Sequence, residues 1–164
     1  MTNSAAAANR SEGGMFRGNH PAKVDEKGRL KLPSAFRQLM DGASVTQFYI
    51  TSTDGAKAEV WPLDVWEKQE ARLMEASTMD EAVAKFLDQT SYYGQQVEID
   101  SQARVVLPQI LREKARLDAE VVVLGRIDHL EVHNQAQFEQ RLEASALTAD
   151  DRKSVAAILK VTNP

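Results

Sequence analysis

Residues 24–33 read VDEKGRLKLP, and 75 positions later residues 99–108 read IDSQARVVLP. Apolar residues fall on apolar residues, Asp25 on Asp100, Arg29 on Arg104 and Pro33 on Pro108. The match continues downstream. Arg37 and Arg112 keep the same spacing inside SAFRQLM and QILREKARL, two short helical patterns opened by a proline, which the first turn of a helix tolerates. FYITSTDGAKAEVWP (48–62) and VVVLGRIDHLEVH (121–133) then each read as strand, turn, strand, with DG and GRID supplying the turns. A helix closes each unit. The first runs from about Asp64 with Val65, Trp66, Gln69 and Leu73 near helical spacing; in the second, Asn134 caps AQFEQRL and Gln137 follows three residues on. A matching decapeptide is weak evidence, whereas a whole unit written twice requires an architecture of two equivalent halves.

Two pieces have no counterpart in the repeat. DEAVAKFLDQTSYY (80–93) connects the copies as a helix, with Thr78 and Glu81 as its cap signature and Val83, Phe86 and Leu87 as an apolar stripe. ADDRKSVAAILK (149–160) forms a second, capped by Thr148 with Asp151. With 164 residues and 43% hydrophobic content, the chain can build one compact domain or two small interlocked ones. Nothing in it is long and apolar enough to span a bilayer, and residues 1–14 read as a disordered extension without the apolar segment of a secretory signal. The absence of cysteine excludes disulfides and thiolate metal sites and suits a reducing cytoplasm.

The net charge is -4, yet the charges are sorted along the chain. Between Met15 and Leu39 six basic residues (Arg17, Lys23, Lys27, Arg29, Lys31, Arg37) face two acids (Asp25, Glu26), whereas residues 64–88 hold seven acids against three bases. The positive pole coincides with the repeated turn. In DEKG the aspartate can bond its own backbone and Gly28 can supply positive φ, so Arg29 leaves a tight turn into a strand where Leu30 and Leu32 share one face and Arg29 and Lys31 the other. Asp25 and Arg29 stand close enough to pair. Such a pair either braces the turn or holds the guanidinium ready for a phosphate or a guanine edge.

MFRG at 15–18, VDEKGRLKLPSAFR at 24–37 and IDSQARVVLPQILR at 99–112, in that order, resemble the MraZ family of bacterial transcriptional regulators, and the resemblance covers nearly all of residues 15–142. It implies a mainly β (α+β) fold, a double-split β-barrel of two SpoVT-AbrB-type repeats with capping helices. The implied boundaries are 1–14 for the extension, 15–66 and 94–138 for the repeats, 67–93 for the connector and 139–164 for a helical tail. It also implies sequence-specific binding of tandem direct repeats in the promoter of the division and cell-wall gene cluster, usually as a repressor of its own operon, and assembly into homo-oligomeric rings. Carried onto this chain, the DNA-binding positions are Arg29, Lys27, Arg17, Lys31 and Arg104, and the turn-supporting ones Asp25, Gly28 and Asp100. No cofactor, membrane partner or small-molecule substrate is implied, and the expected location is the cytoplasm, on the nucleoid. The second turn departs from the first in Gln102, Ala103 and Val106, where the first has Lys27, Gly28 and Lys31. Alanine takes positive φ less readily, so the second turn is expected to differ in shape, and the first copy to make most of the DNA contacts.

Other function classes find less support in the residues. His129, Glu131 and His133 share one face of a strand and are a metal triad by ligand type, but alternation with Leu130 and Val132 makes them the polar outward side of a half-buried strand. No GxSxG elbow, phosphate-binding glycine loop or HExxH helix is present, which leaves an enzyme without a starting motif. An AbrB-type antitoxin with a partner-binding tail and a ring-forming scaffold without DNA are the nearer alternatives.

Overall fold

The computed structural model describes residues 15–76 and 80–161. The N-terminal extension, the Thr78 cap and the last residues of the tail lie outside them. The first copy folds as β1 (Asn19–Lys23), β2 (Arg29–Lys31), α1 (Ser34–Gly42), β3 (Gln47–Thr51), β4 (Ala58–Pro62) and α2 (Leu63–Glu75). After the connector α3 (Glu81–Tyr92), the second repeats the order as β5 (Gln95–Glu98), β6 (Arg104–Val106), α4 (Gln109–Lys114), β7 (Glu120–Gly125), β8 (Leu130–Asn134) and α5 (Gln135–Ala144); α6 (Ala149–Val161) ends the described chain. The mixed α+β class and the duplicated plan are those expected.

The two copies are interlocked. The main sheet runs β1-β7-β8-β4-β3-β5, entirely antiparallel, and the remaining strands β2 and β6 pair as a separate ribbon. Exchanging the copies leaves the order unchanged, and the exchange axis passes where Glu59 lies opposite Glu131. Each β3–β4 or β7–β8 hairpin receives its edge strand from the other copy, β5 beside β3 and β1 beside β7. Neither copy therefore has a complete sheet of its own.

Alternation along these strands sends one side of each into a shared core. Phe48, Ile50, Val60, Val121, Val123, Leu130 and Val132 fill it from the sheet, Leu30, Leu32, Val105 and Leu107 from the ribbon, and Phe36, Met40 and Leu111 from the proline-led helices. Fully burying a side chain of this size contributes about 1.5–3 kcal/mol, so these positions carry most of the driving force.

The other side of the sheet is also covered. Trp66 of α2 stacks on Tyr49 at 4.8 Å and lies 5.6 Å from Trp61, while Phe86 of α3 stacks on Trp66 at 6.4 Å. Tyr49 Oη and Thr51 Oγ1 both donate to the Thr90 carbonyl, tying the end of α3 to β3. Of the connector's apolar stripe, Val83 and Phe86 are half-buried and Leu87 is exposed. The described cap of α3 is Asp80, which accepts from the Ala82 amide at 2.8 Å. The expected caps at Asn134 and at Thr148 with Asp151 are both formed. Helix α6 stands apart, with every described side chain from Ala149 to Lys160 exposed except Ala156. Among the described residues no helix is long and apolar enough to cross a membrane.

Candidate nucleic-acid interface

Each repeated turn is built around one aspartate. Asp25 Oδ1 accepts from the Lys27 and Arg29 amides at 3.0 and 2.8 Å, and its Oδ2 accepts from Arg29 Nε at 2.7 Å. Gly28 N–H donates to the Asp25 carbonyl and Asp25 N–H to the Arg29 carbonyl, closing the loop. Asp100 does the same with Gln102, Arg104 and Ala103, at distances within 0.1 Å of the first set. Backbone donation from Arg29 leads the effects that hold the Asp25 carboxyl below its ordinary range, and Arg104 does the same for Asp100.

The expected difference in shape between the turns is not found. Ala103 adopts φ 61° where Gly28 has φ 80°. A non-glycine residue costs about 1–2 kcal/mol there, and the Asp100 bonds together with the ribbon pairing hold it in place. What glycine changes is the space above the turn. A Cβ at Gly28 would lie 2.5 Å from Arg112 Cζ, so only glycine lets that guanidinium lie over the turn, where Arg112 Nε donates to the Leu107 carbonyl at 3.1 Å. Arg37, the counterpart of Arg112, would meet a methyl group at the equivalent place, and its buried Nε has no partner among the described residues.

Past the turns, β2 and β6 run antiparallel with Arg29 opposite Val106, Leu30 opposite Val105 and Lys31 opposite Arg104. The pairing extends through Leu32 N–H to the Ala103 carbonyl and Leu107 N–H to the Gly28 carbonyl. Directly opposed residues share a face. Leu30 and Val105 are fully buried, which places Arg29, Lys31, Arg104 and Val106 together on the outer face. Each arginine uses Nε on its aspartate, and among the described residues the terminal nitrogens meet no acceptor. Lys31 directly opposite Arg104 is an unfavourable pairing of like charges, of the order of 0.2–1 kcal/mol, that an anion at this face would relieve.

The remaining site residues fall around this face in different ways. Lys27 is exposed at the tip of the first turn, beside a shallow cleft lined by Lys23, Val24, Asp25, Glu26 and Arg29. Arg17 is not part of the cluster. It is exposed at the far end of β1, against Gly125, about 20 Å of extended chain from Lys23.

The polar side of β8 is not solvated as alternation suggests. His133 is 2% exposed, its ring 4.6 Å from Phe138 of α5, and Arg141 of the same helix donates to His133 Nδ1 at 2.7 Å. His133 Nε2 then donates to Glu131 Oε1, which also accepts from Arg126 Nε at 3.0 Å. His129 stacks on Trp61 at 3.8 Å, hydrogen-bonds Asp128 and lies 3.6 Å from Glu131 Oε2. Burial opposes charge on both groups, but His129, His133 and Arg126 hold Glu131 well below the usual carboxylate range, and Glu131, Asp128 and Glu59 hold His129 above that of imidazole. These groups form an ion-pair and hydrogen-bond network that α5 joins through Arg141, and among the described residues no three His, Cys, Asp or Glu side chains gather as metal ligands. The sequence reading missed Arg126, Arg141 and the buried Glu59, whose Oε1 accepts from Trp61 Nε1 and whose Oε2 has no hydrogen-bond partner among the described residues. The packing of α5 over His133, through Phe138 and Arg141, is a tertiary contact that no local sequence pattern shows.

The chain matches the family model described as "MraZ protein, putative antitoxin-like" over residues 15–89 and 94–157. It is 52% identical over 142 residues to the transcriptional regulator MraZ of Acidobacterium capsulatum, covering 87% of this chain and 97% of that protein. Identity is 41% over 142 residues to the protein of that name from Koribacter versatilis, covering 86% and 97%. To the one from Acidithiobacillus ferrooxidans it is 36% over 143 residues, covering 83% and 93%.

Proposed function

The chain belongs to the MraZ family, and from that premise we propose that it is a DNA-binding transcriptional regulator whose reading head is the outer face of the β2–β6 ribbon. The observation that carries the reading is the gathering of Arg29, Lys31 and Arg104 on that one face, two of them pinned by aspartates and two opposed as like charges, in a chain of net charge -4. Structural need alone favours opposite charges across a ribbon.

A two-stranded ribbon fits the major groove of B-form DNA. Arg29, presented end-on by Asp25, is placed to give its terminal nitrogens to the O6 and N7 of a guanine; Arg104 does so from the neighbouring strand. Lys31 at the face and Lys27 at the tip neutralise phosphates on either side, and Arg17 reaches the backbone farther off. The target is double-stranded promoter DNA with tandem direct repeats upstream of the chain's own division and cell-wall gene cluster, and the sign of regulation is repression. One contact set is weak, so a homo-oligomeric ring presenting several heads to evenly spaced repeats gains affinity through effective concentration.

Gel shifts on the chain's own upstream region, against a scrambled fragment and over a salt series, test this. The upstream fragment should bind preferentially, with log affinity falling linearly in log salt. Equal affinity for both fragments removes sequence recognition from the reading, and a flat salt response removes the phosphate contacts.

A further inference from the structure

The charged members of the ribbon face have roles in the reading above; Val106 has none. It is 44% exposed, directly opposite Arg29, two residues along β6 from Arg104 and diagonal to Lys31. A single exposed valine is ordinary on a protein surface. This one is set among cationic side chains on the face where the first copy has Lys31 at the equivalent position. The pair Leu30–Val105 behind it already closes the core, and the outward-facing Val106 adds nothing to that packing.

In the major groove every base pair offers hydrogen-bond donors or acceptors, and the only apolar group exposed at a base edge is the C5-methyl of thymine. We propose, resting on the DNA-reading function assigned to this face, that Val106 is a specificity-determining residue that selects a thymine by contact with its methyl group. Cross-strand partners stand about 5 Å apart, the span of one to two base-pair steps, so the thymine lies within two base pairs of the guanine read by Arg29. The two copies of the turn then supply different chemistry to one short sequence, a guanidinium from one and a methyl-sized apolar surface from the other.

The test uses the full chain and duplexes of its upstream repeats in which thymines are replaced, one position at a time, by deoxyuridine, which lacks only the methyl group. Wild-type protein should lose affinity by about fourfold at one position per repeat, the worth of one buried methyl group. Val106→Ser should bind unmodified DNA about fourfold more weakly and be indifferent to deoxyuridine at that position. Val106→Thr, which keeps the β-branch and one methyl, should retain part of the discrimination, so that a folding defect in the serine variant is recognised as such. Wild-type indifference at every position overturns the proposal, as does a position at which wild type and Val106→Ser lose affinity equally. Failure of wild type to prefer its unmodified upstream repeats overturns the DNA reading as well, and is seen before any thymine is changed.

Discussion

The two turns have nearly the same skeleton and different surroundings. Asp25 and Asp100 make the same three side-chain bonds, and Arg29 and Arg104 each give Nε to their aspartate at 2.7 and 2.8 Å. Around them the first copy has Lys27, Gly28 and Lys31, the second Gln102, Ala103 and Val106. The comparison separates what the fold requires from what the surface is free to vary. Asp, Arg and the following proline belong to the architecture, while charge at the tip and at the second outward position of the strand is adjustable.

The sharpest break in that comparison is expected from the arginines. On the proposed function, Arg29→Ala should reduce binding to the upstream repeats by about a hundredfold, the upper range for one bidentate arginine–guanine contact, and Arg104→Ala by about tenfold. Quantitative gel shifts, with circular dichroism melts to confirm folding, decide it; equal losses mean that the copies read DNA equally despite their different lysines.

Next in size is the glycine. Gly28→Ala should destabilise the protein by about 2 kcal/mol, from positive φ and the displacement of Arg112, read as a lowered urea midpoint at constant slope. Ala103→Gly removes strain but gives the unfolded chain more freedom, so it should stay within about 1 kcal/mol of wild type. A harmless Gly28→Ala would show that the space above the two turns is equivalent after all.

Smaller still are the phosphate contacts. Lys31→Ala should weaken all DNA sequences alike and reduce the log–log salt slope by about 1, and Val106→Lys, which rewrites the second copy as the first, should steepen it by about as much.

The smallest effect belongs to the second half alone, since the first copy has Lys57 where the second has His129. The folded protein holds His129 above its ordinary value of 6.5, so its charged form stabilises the fold below that pH, and the contribution is lost as pH rises through the raised folded value. Between pH 6 and 8 the unfolding free energy of wild type, read from urea titrations, should therefore fall relative to that of His129→Gln, by an amount on the order of 1 kcal/mol or less.

The sequence made the hairpins, the proline-led helices and the Asp–Arg turns readable, because each depends on residues close together and the repeat states each one twice. It hid β1 and β5. NHPAK and QQVE are short and mostly polar, and they become strands because the other copy offers them a hairpin edge. Lys31 and Arg104 could be named as basic residues, but their direct opposition depends on a pairing across more than seventy residues. The same limit applies to Ala103, whose conformation is imposed by Asp100 and the ribbon against its own preference.

The interlocked strand order has a consequence for orientation. Half a chain of this plan would leave each hairpin without its edge strand, and two identical halves would make a head with true two-fold symmetry, which presents the same face whichever way round it meets a duplex. Joining the halves in one chain lets a mutation fall on one and spare the other. With Lys31 on one strand and Val106 on the other, the head has a front and a back. Such a polar head suits sites that all point the same way, where a symmetric one would suit an inverted pair.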